Sequence, residues 1–129
     1  MKISFDYDHC LTQKRIQEAA ITLVNKGYEV WIITSRFDNL KRLEYPDLKT
    51  NEDVFETAKQ LKIPTHRIGF TNQEPKWISL NKCKFSIHID DDKEALKGLE
   101  YYGVVKGIDC NAENFEERLA EMIKAIENF

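Results

Sequence analysis

Three short stretches of this chain carry residues able to act on a charged group. Asp6-Tyr7-Asp8 follows Ile3-Ser4-Phe5, Thr34-Ser35-Arg36 follows the apolar run Val30 to Ile33, and Asp90-Asp91-Asp92 follows Phe85 to Ile89. Carboxylates brought together repel, raise one another's pKa and cost stability unless a cation neutralises them. Hard oxygen ligands without a His or Cys cluster suit Mg²⁺, which keeps several waters and binds through one or two carboxylates plus a substrate phosphate. Mg²⁺ among carboxylates, with Thr or Ser hydroxyls and a Lys in reach, points to phosphoryl transfer. The metal and the Lys would offset charge on the transferring group, and an Asp would attack it. Acidic residues after a single strand are common because they cap the next helix. Acidic residues after two strands and a hydroxyl pair after a third are much less so.

These stretches have to be brought together by the elements that precede them. Ile3 to Phe5 reads as a first strand. Arg15 to Lys26 reads as a helix, with Ile16, Ala19, Ala20, Leu23 and Val24 at helical spacing and Gly27 as its stop. Glu29 to Thr34 is a nearly continuous apolar strand of the kind buried on both faces of a parallel sheet. A polar stretch from Arg36 to Asn51, broken by Pro46, precedes a helix over Glu52 to Leu61. Arg67 to Phe70, Phe85 to Ile89 and Val104 to Ile108 read as the remaining strands. Pro75 to Leu80, Asp92 to Tyr102 and Asn114 to Phe129 read as the remaining helices, with Asp92 as N-cap.

Strands alternating with helices imply right-handed crossovers and a parallel sheet covered on both faces. The expected fold is one α/β domain over residues 1–129, a Rossmann-like three-layer sandwich around a five-stranded parallel sheet. Ligands of such sheets bind beyond the carboxyl ends of the strands, and all three chemical stretches stand there.

Composition narrows the function classes. Nineteen Lys+Arg against twenty-two Asp+Glu give a net charge of −3, which supplies no field for general nucleic-acid binding. No apolar run approaches the roughly 20 residues needed to cross a bilayer, and no signal-peptide pattern opens the chain. Cys10, Cys83 and Cys110 form no CxxC pair and no disulfide framework. The expectation is a reduced, cytoplasmic protein without a membrane partner.

The chemical residues carry a resemblance. Phe5-Asp6-Tyr7-Asp8 resembles the first motif of the haloacid dehalogenase-like (HAD) hydrolases, a strand ending in DxD. Ile33-Thr34 resembles the second, Lys76 is similar to the third-motif Lys, and Ile89-Asp90-Asp91 resembles the acidic pair of the fourth. The motifs occur in the family's order from Asp6 to Asp91. The resemblance implies a Mg²⁺-dependent phosphatase acting on a phosphorylated substrate. Asp6 would be the nucleophile that forms an aspartyl-phosphate, and Asp8 the general acid and base. Asp6, the Asp8 main-chain carbonyl and Asp90 would hold Mg²⁺, with Asp91 as a second ligand or behind the first. Thr34 and Lys76 would bind phosphate oxygens, joined at the substrate by Ser35 and Arg36. Lys82 and Lys84 lie near enough in sequence to compete for the Lys76 role.

The family's first motif commonly reads DxDGT, whereas here His9 stands at the Gly and Cys10 at the Thr. No room exists for a cap domain after Asp8 or between Phe70 and Pro75. The chain thus resembles a capless member with an open site, suited to a large or extended substrate. Thr34-Ser35-Arg36 also resembles nucleotidases and the phosphatase half of polynucleotide kinase-phosphatases, which points to a nucleotide or polynucleotide-end phosphate. Arg36, Phe37, Lys41, Arg42 and Tyr45 of the long loop stand beside the site, with the cations expected to be solvated because Asp38, Glu44 and Asp47 offset them. His88 is expected to be a packed, hydrogen-bonded residue on the same side of its strand as Asp90. The competing expectation is a receiver-like or catalytically weakened phosphate-binding regulatory module. Receivers, however, place their phosphorylated Asp after the third strand, where this chain has Thr71-Asn72.

Overall fold

Val30, Ile32 and Ile33 are all buried, although successive side chains of a strand point to opposite faces. That is the signature of a sheet covered on both sides. The structure, a computed structural model, describes residues 1–129. Its strands are β1 (Lys2–Phe5), β2 (Glu29–Thr34), β3 (Ile68–Phe70), β4 (Ile87–Asp90) and β5 (Lys106–Asp109), all parallel in the order β3-β2-β1-β4-β5. The helices are α1 (Lys14–Asn25), the single turn α2 (Asn39–Arg42), α3 (Glu52–Gln60), α4 (Lys76–Lys82), α5 (Lys93–Tyr102) and α6 (Phe115–Glu127). This is the expected single-domain, Rossmann-like α/β architecture.

The two faces of the sheet feed two cores. Ile3, Phe5, Val30, Ile32, Ile87, Ile89 and Ile108 pack with Ile16 and Ala20 of α1, Val54 and Ala58 of α3, and Phe115 and Leu119 of α6. On the opposite face Ile33 meets Leu80 of α4, Leu99 of α5, Phe85 and Val105, with Trp31 and Trp77 at the margin. The larger core anchors β1 and β4, the adjacent pair whose ends carry Asp6 and Asp90.

Local signals set the element ends. Gly27 closes α1 at φ +91°, a conformation that costs glycine little. The Asp92 side chain caps α5 by accepting from Glu94 N–H at 2.9 Å. Three strands begin later than the sequence expectation. A 3₁₀ turn over Thr65–Arg67 takes the first residue assigned to β3. Phe85 turns into the smaller core before β4 begins, and β5 starts two residues late. An element not expected is α2, inside a stretch read as loop, where the Asp38 side chain accepts from Lys41 N–H at 2.7 Å and caps one helical turn. No helix is long and apolar enough to cross a membrane.

Parallel pairing aligns the strand ends. Phe5 pairs with Ile32 and with Ile89, and Asp6 N–H donates to the Ile89 carbonyl at 2.8 Å. Thr71 N–H donates to the Thr34 carbonyl at 2.9 Å, and Cys110 N–H to the Asp90 carbonyl at 3.0 Å. Asp6, Thr34 and Asp90 therefore finish their strands along one rim.

Candidate active site

Asp6 and Asp90, separated by 84 positions in sequence, meet at the ends of β1 and β4. Lys76, the first residue of α4, reaches between them. Its ammonium donates to Asp6 Oδ1 at 2.6 Å and to Asp90 Oδ2 at 2.7 Å. All three side chains are nearly shut off from solvent, with exposures of 7%, 0% and 6% for Asp6, Asp90 and Lys76. Of Lys76, Lys82 and Lys84, only Lys76 is buried between the carboxylates, and Lys82 and Lys84 are exposed.

Behind Asp90 runs a buried polar chain. His88 Nε2 lies 2.7 Å from Asp90 Oδ2, and Ser4 Oγ lies 2.7 Å from His88 Nδ1. Burial holds the imidazole pKa below its usual range despite the Asp90 carboxylate, so the ring is neutral. In that form the network assigns the proton to Nε2, which donates to Asp90, while Nδ1 accepts from the Ser4 hydroxyl. The expectation of a packed, hydrogen-bonded His88 is met, and its partner is a site carboxylate. Asp90 Oδ1 also accepts from Asp92 N–H at 3.0 Å.

The two central carboxylates are not equivalent. Burial opposes ionisation of Asp90, but hydrogen bonds from His88 and Lys76 overcome it and its pKa lies below the ordinary value. Asp6 has only Lys76 as a side-chain donor, so burial, with the Asp90 charge adding to it, pushes its carboxyl up to about 8. Burial also opposes the charge on Lys76, yet the adjoining Asp6 and Asp90 charges hold its pKa above the usual value.

Oxygens of Asp6, Asp90 and half-buried Asp91 all lie within 4.8 Å of one another. Asp91 supplies a third carboxylate against the single ammonium of Lys76. The donor set fits a hard divalent cation such as Mg²⁺. Burial first, and the Asp90 charge after it, oppose ionisation of Asp6, and such an ion would relieve both.

Asp8 stands apart from that cluster. Arg36 grips it with both ends of the guanidinium, Nε to Oδ2 at 2.9 Å and Nη2 to Oδ1 at 2.7 Å. The same guanidinium donates to Asp53 Oδ1 at 2.7 Å and Oδ2 at 2.9 Å, and Lys49 adds a contact to Asp53 at 3.0 Å. The hydrogen bonds from Arg36 depress the pKa of both carboxyl groups. Arg36 also lies 5.1 Å from the centre of the Tyr7 ring, whose hydroxyl donates to the Asp53 carbonyl at 3.2 Å.

The expected solvation of Arg36 is therefore corrected: its side chain is 17% exposed and fully engaged by two carboxylates. Asp38, Glu44 and Asp47 do not offset it; Asp53 does, from the first turn of α3. Sequence spacing carries no sign of this role of Asp53. Ser4 was likewise missed, although its alternation with Phe5 places it on one face of β1.

Thr34 is fully buried, and its hydroxyl accepts from Arg36 N–H at 3.3 Å, while Ser35 is exposed at the rim. His9 occupies a left-handed conformation at φ +58°, where the family motif has Gly. Cys10 is buried, with its thiol 3.7 Å from the Ile89 carbonyl. Three of the residues expected at the reaction centre, Asp6, Lys76 and Asp90, thus come together; Asp91 joins them, and Asp8 is held by Arg36.

No protein-family model matches the chain, and no curated protein matches its sequence significantly.

Proposed function

We propose that the chain is a Mg²⁺-dependent phosphomonoester hydrolase of HAD type, acting through an aspartyl-phosphate on Asp6. The observation that carries this reading is the joint hold of Lys76 on Asp6 and Asp90 at the carboxyl ends of adjacent parallel strands. A nucleophilic carboxylate needs a neighbouring cation to stay ionised when buried and to attract a phosphate dianion. Lys76 lowers the Asp6 pKa from where burial would put it, bound Mg²⁺ would lower it further towards the ionised form, and Lys76 stands next to where the phosphate would lie.

In this mechanism Asp6 Oδ attacks phosphorus as the phosphorus–ester oxygen bond breaks, and the leaving oxygen takes a proton from solvent at the open rim, giving an aspartyl-phosphate and an alcohol. Water then attacks phosphorus, the Asp6–phosphate bond breaks, and inorganic phosphate and free Asp6 are released. Asp6, Asp90 and the main-chain carbonyl of Asp8, with Asp91, would hold Mg²⁺, which when bound supplies charge neutralisation to the transferring phosphoryl group. Asp90 is kept in place for this by His88 and Asp92. Asp8 is kept ionised by Arg36, the form that accepts a proton from the hydrolytic water. Thr34 and the rim residue Ser35 bound the phosphate position.

No inserted domain covers the rim, and the longest connection beside it runs from Arg36 to Asn51. The proposed substrates are accordingly extended phosphates, with a nucleotide or polynucleotide-end phosphate as the leading class. A second reading, a phosphate-binding module with little or no turnover, is favoured by one observation: Asp8 is bound to Arg36 and followed by a left-handed His9.

Hydrolysis of p-nitrophenyl phosphate with Mg²⁺ or with EDTA tests the proposal. The expected outcome is turnover that needs Mg²⁺ and falls by about a thousandfold or more in Asp6→Asn, with an unchanged far-UV spectrum. Equal turnover by the two proteins overturns the role of Asp6. Mg²⁺-dependent binding of beryllofluoride without turnover supports the second reading.

A further inference from the structure

Beside Arg36 lies a small cavity of about 190 Å³. Three cations line it, Arg36, Arg42 and Lys49, together with the Asn51 and Gln73 amides and the Phe37 ring. No acidic residue lines it. At roughly 30 Å³ per water it has room for about six, enough for a tetrahedral oxyanion.

The cations differ in what already satisfies them. Arg36 and Lys49 face Asp53, and Arg36 faces Asp8 as well. Arg42 makes no ion pair. Its Nη1 donates only to the Leu48 carbonyl, at 3.4 Å, and its Nε is shielded from solvent and has no acceptor at all. Arg42 thus lines the cavity with a charge that no carboxylate of the fold offsets, and an anion held there would offset it.

The walls are braced. Gln73 N–H donates to the Ser35 carbonyl at 2.8 Å, and Asn72 N–H to the Arg36 carbonyl at 3.2 Å, through two successive left-handed residues at φ +71° and +54°. Asn51 Nδ2 donates to the Phe37 carbonyl at 2.9 Å, and Phe37 stacks on Tyr45 at 4.9 Å. Ser35 and Arg36 directly follow Thr34 of the proposed phosphate site, so the cavity adjoins that site along the chain.

We infer that this cavity binds a second anionic group of the substrate, which makes the preferred substrate a phosphomonoester carrying another phosphate or phosphodiester beside the one removed. The inference rests on the phosphatase reading for its substrate role, while the anion site itself stands on Arg42 and the cavity.

Two measurements separate these parts. The first follows the Arg42 Nε–H resonance, assigned by its loss in Arg42→Gln, during titration of the full chain with sodium sulfate. A shift that saturates is expected, and a shift no larger than that of exposed arginines overturns the site. The second compares kcat/KM on fructose 1,6-bisphosphate with fructose 6-phosphate, and on adenosine 3′,5′-bisphosphate with adenosine 3′-monophosphate.

The bisphosphate-to-monophosphate ratio is expected to fall about tenfold or more in Arg42→Gln, to recover in part in Arg42→Lys, and to stay unchanged in the remote surface variant Lys97→Ala. A preference confined to the nucleotide pair identifies a nucleotide ligand, and one shared by both pairs identifies the second phosphate alone as the recognised group. An unchanged ratio in Arg42→Gln overturns the substrate role even if sulfate binds. A wild type that hydrolyses none of these esters but keeps the saturating shift supports the anion site and overturns the phosphatase reading.

Discussion

Two clusters of opposite charge lie at the same rim and are balanced in opposite ways. In the inner one, Lys76 faces three carboxylates, and burial with too few donors pushes Asp6 up to about 8. In the outer one, Arg36 and Lys49 face Asp8 and Asp53, and every carboxylate oxygen has a cationic donor. The outer cluster holds the fold in place: it ties the turn after β1 to the loop after β2 and to α3. The inner cluster holds charge that the folded protein alone does not neutralise. The contrast teaches where to look for a ligand, since a balanced network needs none and an unbalanced buried one does.

Removing the inner cation should have the largest effect. Lys76→Met leaves Asp6 and Asp90 buried together without their shared donor, and a loss of about 3–5 kcal/mol is expected in urea denaturation without metal. A loss below about 1 kcal/mol would place the inner cluster on the same footing as an exposed ion pair.

Asp6→Asn should act in the other direction. Because the folded pKa of Asp6 is raised above its unfolded value near 4, this group loses stability for the protein as pH rises from about 4 to about 8, and no more above that. Asparagine does not titrate. The variant is expected to be more stable than wild type by about 1–3 kcal/mol at pH 7 without metal, with a gap that widens between pH 4 and 8. Thermal unfolding across that range checks the sign. A gap that narrows with rising pH would mean Asp6 is stabilised as a carboxylate.

The outer cluster should show the mirror image at lower amplitude. Asp8 and Asp53 have depressed pKa values, so their stabilisation is present above pH 4 and disappears as pH falls through the folded values. Arg36→Gln is expected to cost about 1–2 kcal/mol at pH 7, discounted because the Asp8 side chain is 46% exposed. The cost should shrink towards zero on acidification and with added salt. A pH-independent cost would assign the effect to packing of Arg36 on Tyr7 instead.

Most of this layout was legible in the residues. The apolar run of β2 and the helical spacing of α1, α3, α5 and α6 were enough for the layers, because a doubly covered sheet leaves its mark on every strand residue. Asp6 and Asp90 were legible because strand ends are fixed points of a parallel sheet, whereas Lys76, at the start of α4, was picked out only by its motif resemblance. The Arg36–Asp53 clamp was not. Side-chain pairing between a loop and the first turn of a helix depends on how the loop folds back, and charge counting along the sequence matched Arg36 with neighbours it does not touch. The His88–Ser4 chain was half legible: alternation placed His88 beside Asp90, while Ser4 needed the register of β1 against β4.

The smallest expected effect concerns His9, the residue after Asp8 of the outer cluster. Its φ of +58° costs a non-glycine residue about 1 kcal/mol. Glycine removes that strain but adds chain entropy to the unfolded state, so His9→Gly is expected to change stability by no more than about 1 kcal/mol, upward. A larger loss would show that the His9 side chain itself supports the turn.

The unbalanced inner cluster is tested most directly by anomalous diffraction from crystals soaked in Mn²⁺, a substitute for Mg²⁺. A single anomalous peak bonded to carboxylate oxygens of Asp6 and Asp90, absent from crystals of Asp90→Ala, is the expected result. Mn²⁺ bound elsewhere, with Lys76 still bridging two metal-free carboxylates at saturating Mn²⁺, would contradict it.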